Sequence, residues 1–133
     1  MKATDLKIND IVTYHHEVVT ILSVSESFAK IRFQDGELTT APLNQIKPCE
    51  ILYKILKMNN FKTIHFDSIL VTEITKEDND ILQLVIGSIF SDKYAIHLYN
   101  TSTNNVTAMH LCDIKYMHEL QHIMAIFGKE ISL

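Results

Sequence analysis

Tyr116-Met117-His118-Glu119-Leu120-Gln121-His122-Ile123-Met124-Ala125-Ile126-Phe127-Gly128-Lys129-Glu130-Ile131-Ser132-Leu133 closes the chain, and the phase of its helix decides what the rest of the fold must receive. At about 100° per residue, Tyr116, Leu120, Ile123, Met124 and Phe127 fall in one arc, which predicts an amphipathic helix packed through that arc on a sheet. Gly128 stands where a left-handed C′ residue belongs, and Asp113 is placed to cap the N-terminus. His118 and His122 fall on the opposite arc with Gln121 and Ala125, so the same phase turns them toward water.

The stretch also carries His118-Glu119-Leu120-Gln121-His122, an H-E-x-x-H string. On a helix the two imidazoles stand one turn apart and suit a shared zinc, with Glu119 as general base for a bound water whose pKa falls to about 7. Such a site needs a third protein ligand. Eleven residues follow His122, with Glu130 the only carboxylate side chain and no histidine among them. His110 upstream would complete the set only if its strand turned its polar face toward the helix. With the pair on the wet arc, we expect no catalytic, cofactor-binding or metal-binding residue. His118, His122, Glu119 and His110 are the candidates should zinc bind at all.

Upstream of this helix the period changes. Apolar runs at 63–66, 69–74, 81–90, 94–99 and 106–111, separated by polar loops, predict an antiparallel meander. Tyr94, Ile96 and Leu98 share one face and His97 and Tyr99 the other, as Met109 and Leu111 oppose Ala108 and His110. His97 and His110 are expected on the face turned away from the apolar partner, with His65 also on a sheet surface. Lys76-Glu77-Asp78-Asn79-Asp80 reads as a solvated acidic turn. Before the meander, Ile51, Leu52, Ile55 and Leu56 form the stripe of a helix expected over 49–58. Glu50 comes early and Lys54 and Lys57 late, as the macrodipole favours, and Asn59-Asn60 is a left-handed stop.

From Asp5 to Pro48 short strands alternate with turn chemistry. Asn9-Asp10 precedes Ile11–Tyr14, the polar corner His15-His16-Glu17 precedes Val18–Val24, and Asp35-Gly36 joins Ala29–Phe33 to Glu37–Thr40 as the strongest hairpin signal in the chain. Alternation turns Ile31 and Phe33 inward and Lys30 and Arg32 outward. We read His15-His16 as polar turn residues rather than a metal or phosphate contact. So many short strands in so short a span are best closed as a small SH3-like barrel, which removes exposed edges. Pro48 ends the unit, since Lys47 before it is biased toward extended geometry.

At 133 residues, 47% apolar and 21% charged, the chain suits one modest globular domain or two small ones. The net charge of -4 opposes binding to polyanions. A nucleic-acid-associated role through the barrel, using Lys7, Lys30, Arg32 and Lys47, is the alternative it disfavours. Cys49 and Cys112 lie far apart without a C-x-x-C pair, as buried thiols of a reducing compartment do. The three glycines never cluster into a phosphate loop. The N-terminus lacks an apolar signal region and no apolar run nears the roughly 20 residues that span a bilayer, so a cytoplasmic protein without membrane contact is expected.

Three segments carry a resemblance. Lys2-Ala3-Thr4-Asp5-Leu6-Lys7-Ile8-Asn9-Asp10-Ile11-Val12 is similar to an opening "K-A-x-x-L-R-I-G-N-x-V". Ile46-Lys47-Pro48-Cys49-Glu50-Ile51-Leu52, running on to Asn60-Phe61, is similar to "I-K-P-I-x-L-x-x-x-x-L-x-x-x-G-F". Lys115 to Ile131 is similar to a closing "K-Y-V-H-Q-L-Q-N-L-Y-F-A-L-T-G-K-E-L". On these the chain resembles a family of short uncharacterised proteins of gut-bacterial genomes and their phages or mobile elements. The family pattern has Gln and Asn at the positions of Glu119 and His122, so the H-E-x-x-H string departs from it twice. The resemblance implies a shared fold and an accessory role, and transfers no catalytic residue.

The expectation is therefore an α+β protein. Residues 1–48 form the SH3-like barrel, and 49–133 form a helix, an antiparallel meander and a C-terminal helix packed on that sheet. We expect a non-enzymatic accessory or interaction module binding a protein partner, its identity and the oligomeric state left open, with a zinc hydrolase using His118-Glu119-Leu120-Gln121-His122 as a further alternative.

Overall fold

A computed structural model resolves the chain into two compact units, Met1–Leu52 with Tyr116–Leu133, and Tyr53–Lys115. It describes residues 1–64, 69–77, 80–90, 93–102 and 106–133. His65 and positions 78–79 of the acidic turn lie outside the described residues.

In the first unit β1 (Ile11–Tyr14), β2 (Glu17–Val24), β3 (Phe28–Phe33), β4 (Leu38–Pro42) and β5 (Ile46–Pro48) build one sheet in the order β4-β3-β2-β1-β5. Every neighbouring pair is antiparallel. The expected turn chemistry sets the register. Asp35 Oδ1 accepts the Glu37 N–H at 2.9 Å, and Gly36 takes φ 94°, so the β3–β4 hairpin closes on a glycine no L side chain would replace without strain. His15 and His16 form the two-residue β1–β2 turn between the paired Tyr14 and Glu17, with φ of 49° and 65°. That is the mirror-image turn that suits strand twist, made here by residues that pay a steric cost for it. Replacing the pair by Asn-Gly should raise stability by about 1 kcal/mol, read as a higher urea midpoint at unchanged slope.

One face of this sheet gathers Val12, Val19, Ile21, Ala29, Ile31, Ala41 and Ile46 with Leu6 and Leu43 into a core, while Lys30 and Arg32 are exposed as the alternation predicts. No ladder joins β4 to β5, so the sheet is open where the sequence suggested closure into a barrel. The opposite face is covered as well: the paired Ile11 and Thr20 point away from Val12 and Val19, yet are 0% and 5% exposed.

The cover is α2 (Met117–Ile126), which packs on β1. This corrects the expectation that the C-terminal helix packs on the meander. The buried residues are Met117, Leu120, Gln121 and Met124, whereas Tyr116, Ile123 and Phe127 are half-buried, so the helix is turned from the expected arc toward positions 117 and 121. Hydropathy counted Gln121 as a surface residue; backbone hydrogen bonds make it an inner one. The N-cap is Tyr116 rather than Asp113, and Glu119 Oε1 accepts the Tyr116 N–H at 3.0 Å. Gly128 takes φ 73°, its N–H donates to Ala125 O and the Lys129 N–H to Met124 O, completing a Schellman stop.

The second unit starts with α1 (Tyr53–Met58), shorter than expected. Cys49 O accepts the Met117 N–H at 2.8 Å and Glu50 bridges Tyr116, so the backbone of Cys49 and Glu50 is committed to α2 and stays extended. Asn60, at φ 70°, ends α1, and the Phe61 N–H returns to Leu56 O. The meander follows as β6 (Lys62–Ile64), β7 (Ile69–Glu77), β8 (Asp80–Phe90), β9 (Lys93–Thr101) and β10 (Val106–Ile114), in the order β10-β9-β8-β7-β6. Its inner face carries the buried Leu70, Thr72, Leu84, Ile86 and Ile96.

Candidate functional site

Within the H-E-x-x-H string Glu119 and His122 have partners supplied by the fold, and the partner of His122 is Asp10. Lys7 to Asp10 form a tight turn in which the Asp10 N–H donates to Lys7 O at 3.1 Å and Asn9 takes φ 75°. The Asn9 N–H donates to Ile21 O and the Ile21 N–H to Asp10 O, which ties the turn to β2. The Asp10 side chain is 3% exposed. A carboxylate buried so deeply is tolerated only when partnered. Its Oδ2 accepts the Lys7 N–H at 2.8 Å, and its two oxygens meet His122 Nε2 at 2.9 and 3.0 Å.

Gln121 stands beside this pair and behaves as a piece of backbone. Its Oε1 accepts the Ile11 N–H at 2.7 Å, while Nε2 donates to Asn9 O at 2.8 Å and to Ile131 O at 3.0 Å. One amide thereby joins the N-terminal turn, β1 and the tail that follows α2. Ile131 is buried, and the Asn9 side-chain amide donates to Glu130 Oε1 at 3.3 Å.

His118 is half-buried rather than wet. Its ring stacks on Tyr116 at 6.0 Å and meets His122 edge-on at 5.7 Å, and its buried Nδ1 has no hydrogen-bond partner. Burial lowers its pKa below the ordinary 6.5, against the smaller upward pulls of Asp10 and Glu119. A base with a depressed folded pKa adds stability above its unfolded pKa and loses it as pH falls through that value. Stability should therefore decline on acidification below about 6.5, and His118→Leu should flatten that limb in urea melts run at successive pH values.

Hydrolytic chemistry would need these groups differently placed. Asp10 and His122 make the carboxylate–imidazole half of a triad, but the other partner of the carboxylate is the Lys7 N–H of a turn. Glu119 is engaged at the helix N-terminus, and His110, in the second unit, meets Asp113 Oδ1 at 2.8 Å. Among the described residues no group of His, Cys, Asp and Glu is arranged to hold a metal ion. The Cys49 thiol is pushed up to about 11, by burial first and by Glu50 second, and keeps its proton against Glu50 O.

The basic residues proposed for nucleic acid are exposed but do not form a row. Arg32 on β3 is separated from β5 by the uncharged Thr20–Ile11 pair, and Lys47 on β5 from β3 by Thr13–Val18. Lys30 shares the outer face of β3, and Lys7 lies in the turn before β1.

In the second unit, β10 is an edge strand on which Val106, Thr107, Ala108, Met109 and His110 are all exposed. The cross-strand row Leu84–Leu98–Met109 runs from 0% exposure at Leu84 to 57% at Met109, so the inner apolar face continues to the exposed edge. On the reverse face His97 pairs with His110, ring centroids 5.1 Å apart, with Tyr99 at 6.4 Å from His97, as the alternation predicts. Neither the exposed edge nor the Asp10–Gln121–His122 cluster was singled out by sequence reasoning. The available signals were a glutamine between two apolar helix turns and the absence of charge along 106–112.

Set against protein-family models, curated proteins and solved structures, the chain matches none of them.

Proposed function

We propose that the protein is a non-enzymatic protein-binding module whose second unit receives an extended partner segment along β10. The observation that carries this reading is the run of exposed, uncharged residues Val106 to His110 on an edge strand, paired on one side with β9. An edge of this kind offers backbone N–H and C=O groups to an added strand, which supplies affinity, while alternate side-chain positions supply selectivity. On the same reading the first unit is a small SH3-like barrel, left open between β4 and β5, with α2 as a fixed lid on its outer face.

Two of the three segments proposed to relate the chain to the gut-bacterial and phage or mobile-element family, the first and the last, meet at Asn9, Gln121 and Ile131. The family pattern has Gly at the position of Asn9, where φ is 75°, and Gln at Gln121. A shared clasp would account for both. Cys49 and Cys112 form no disulfide, which favours a cytoplasmic setting, and no helix among the described residues is long and apolar enough to cross a membrane.

The test is selection of displayed nine-residue peptides against the folded protein, with Met109→Lys as counter-target. Enrichment of alternating apolar sequences that lose binding to Met109→Lys is expected. Failure to enrich any sequence over the variant would overturn the reading.

A further inference from the structure

The two edges of the meander differ in a way that selects an occupant for β10. We infer that β10 pairs antiparallel with β10 of a second copy about a two-fold axis near Ala108, an inference that rests on the reading of this edge as an interaction surface. The opposite edge, β6, is three residues long and carries Lys62, features that keep sheet edges apart. β10 is nine residues long, and from Val106 to Cys112 it holds no Lys, Arg, Asp, Glu or Pro. An edge without charge or proline opposes no like charges when it meets its own copy.

Antiparallel pairing of one strand with itself is self-complementary. With Ala108 facing Ala108 of the second copy, Val106 faces His110 and Thr107 faces Met109, an isologous contact that closes as a dimer with β6 as the outer edge of the meander in each copy. The small Ala108 at the axis lets the two backbones approach. Met109, at the end of the Leu84–Leu98–Met109 row, then lies opposite Thr107 and diagonal to Met109 of the second copy, within side-chain reach. The β-bulge between His110 and Cys112 bends the strand and makes Leu111 and Cys112 less exposed than the five residues before them, which limits the pairing to Val106–His110. A contact of this length falls in the range of small, transient interfaces, so dimerisation should depend on concentration.

Sedimentation velocity on the full chain from about 5 to 500 µM tests this, the range expected to bracket a weak contact. The wild type should pass from monomer toward twice the monomer mass. Ala108→Lys and Ala108→Glu should each stay monomeric, because like charges then face each other at the axis, and an equimolar mixture of the two should dimerise again. Circular dichroism melts matching wild type establish that both variants fold; Met109→Lys, at an exposed position, is the substitute if either does not. A wild type monomeric throughout, or variants that dimerise like wild type, would overturn the pairing. A monomeric wild type that still binds displayed peptides along β10 would sink the self-pairing alone, whereas loss of both would sink the protein-binding reading as well.

Discussion

Gln121→Leu is expected to destabilise the first unit by about 3–5 kcal/mol, although the substitution nearly conserves volume and places a better apolar residue on a buried helix face. The loss comes from the backbone. The Ile11 N–H and the Asn9 and Ile131 carbonyls, met by one amide at 2.7, 2.8 and 3.0 Å, would be stranded together. Each buried polar group left without a partner costs about 1–3 kcal/mol, and relaxation of the tail after α2 would return part of the sum. Urea denaturation followed by circular dichroism reads it directly, the chain having no tryptophan. A change below about 1 kcal/mol would mean that Gln121 faces water.

Leu120→Ala should cost about 2–5 kcal/mol through lost burial and the cavity left behind, since Leu120 is fully buried where α2 covers the sheet. Ile126→Ala on the same helix, 79% exposed, should stay within about 0.5 kcal/mol. The pair fixes the rotation of α2. If the two effects were equal, the helix would be phased differently from the structure.

Local signals were legible in the sequence wherever the chain determines its own geometry. Gly36, Asn60 and Gly128 each sit at the positive φ their turn or stop requires, and the alternation of Lys30, Ile31 and Arg32 matches their burial. What the sequence obscured was long-range and polar. Period alone assigned Gln121 and His122 to solvent, because hydropathy does not register a side chain that replaces a strand's hydrogen bonds or a histidine that partners a buried carboxylate. Asp10 read as a turn residue, and it is one; nothing local says that its free oxygens point at a helix more than a hundred positions away. The same blindness placed α2 on the meander, since both sheets present an apolar face and the bonds to Ile11, Asn9 and Cys49 that tie α2 to the first unit leave no trace in hydropathy. Spacing carries the opposite kind of signal. A five-residue string suggests a site from spacing alone, while Glu119 and His122 have structural partners that only the fold supplies.

Gln121 and His122 of the H-E-x-x-H string clasp the first unit together through Ile11, Asn9, Ile131 and Asp10. A double-mutant cycle of Asp10→Ala and His122→Ala, measured by urea denaturation, tests it most directly. The structure predicts strongly non-additive losses, with a coupling of about 1–3 kcal/mol between the two positions. Additive losses, with a coupling indistinguishable from zero, would contradict it.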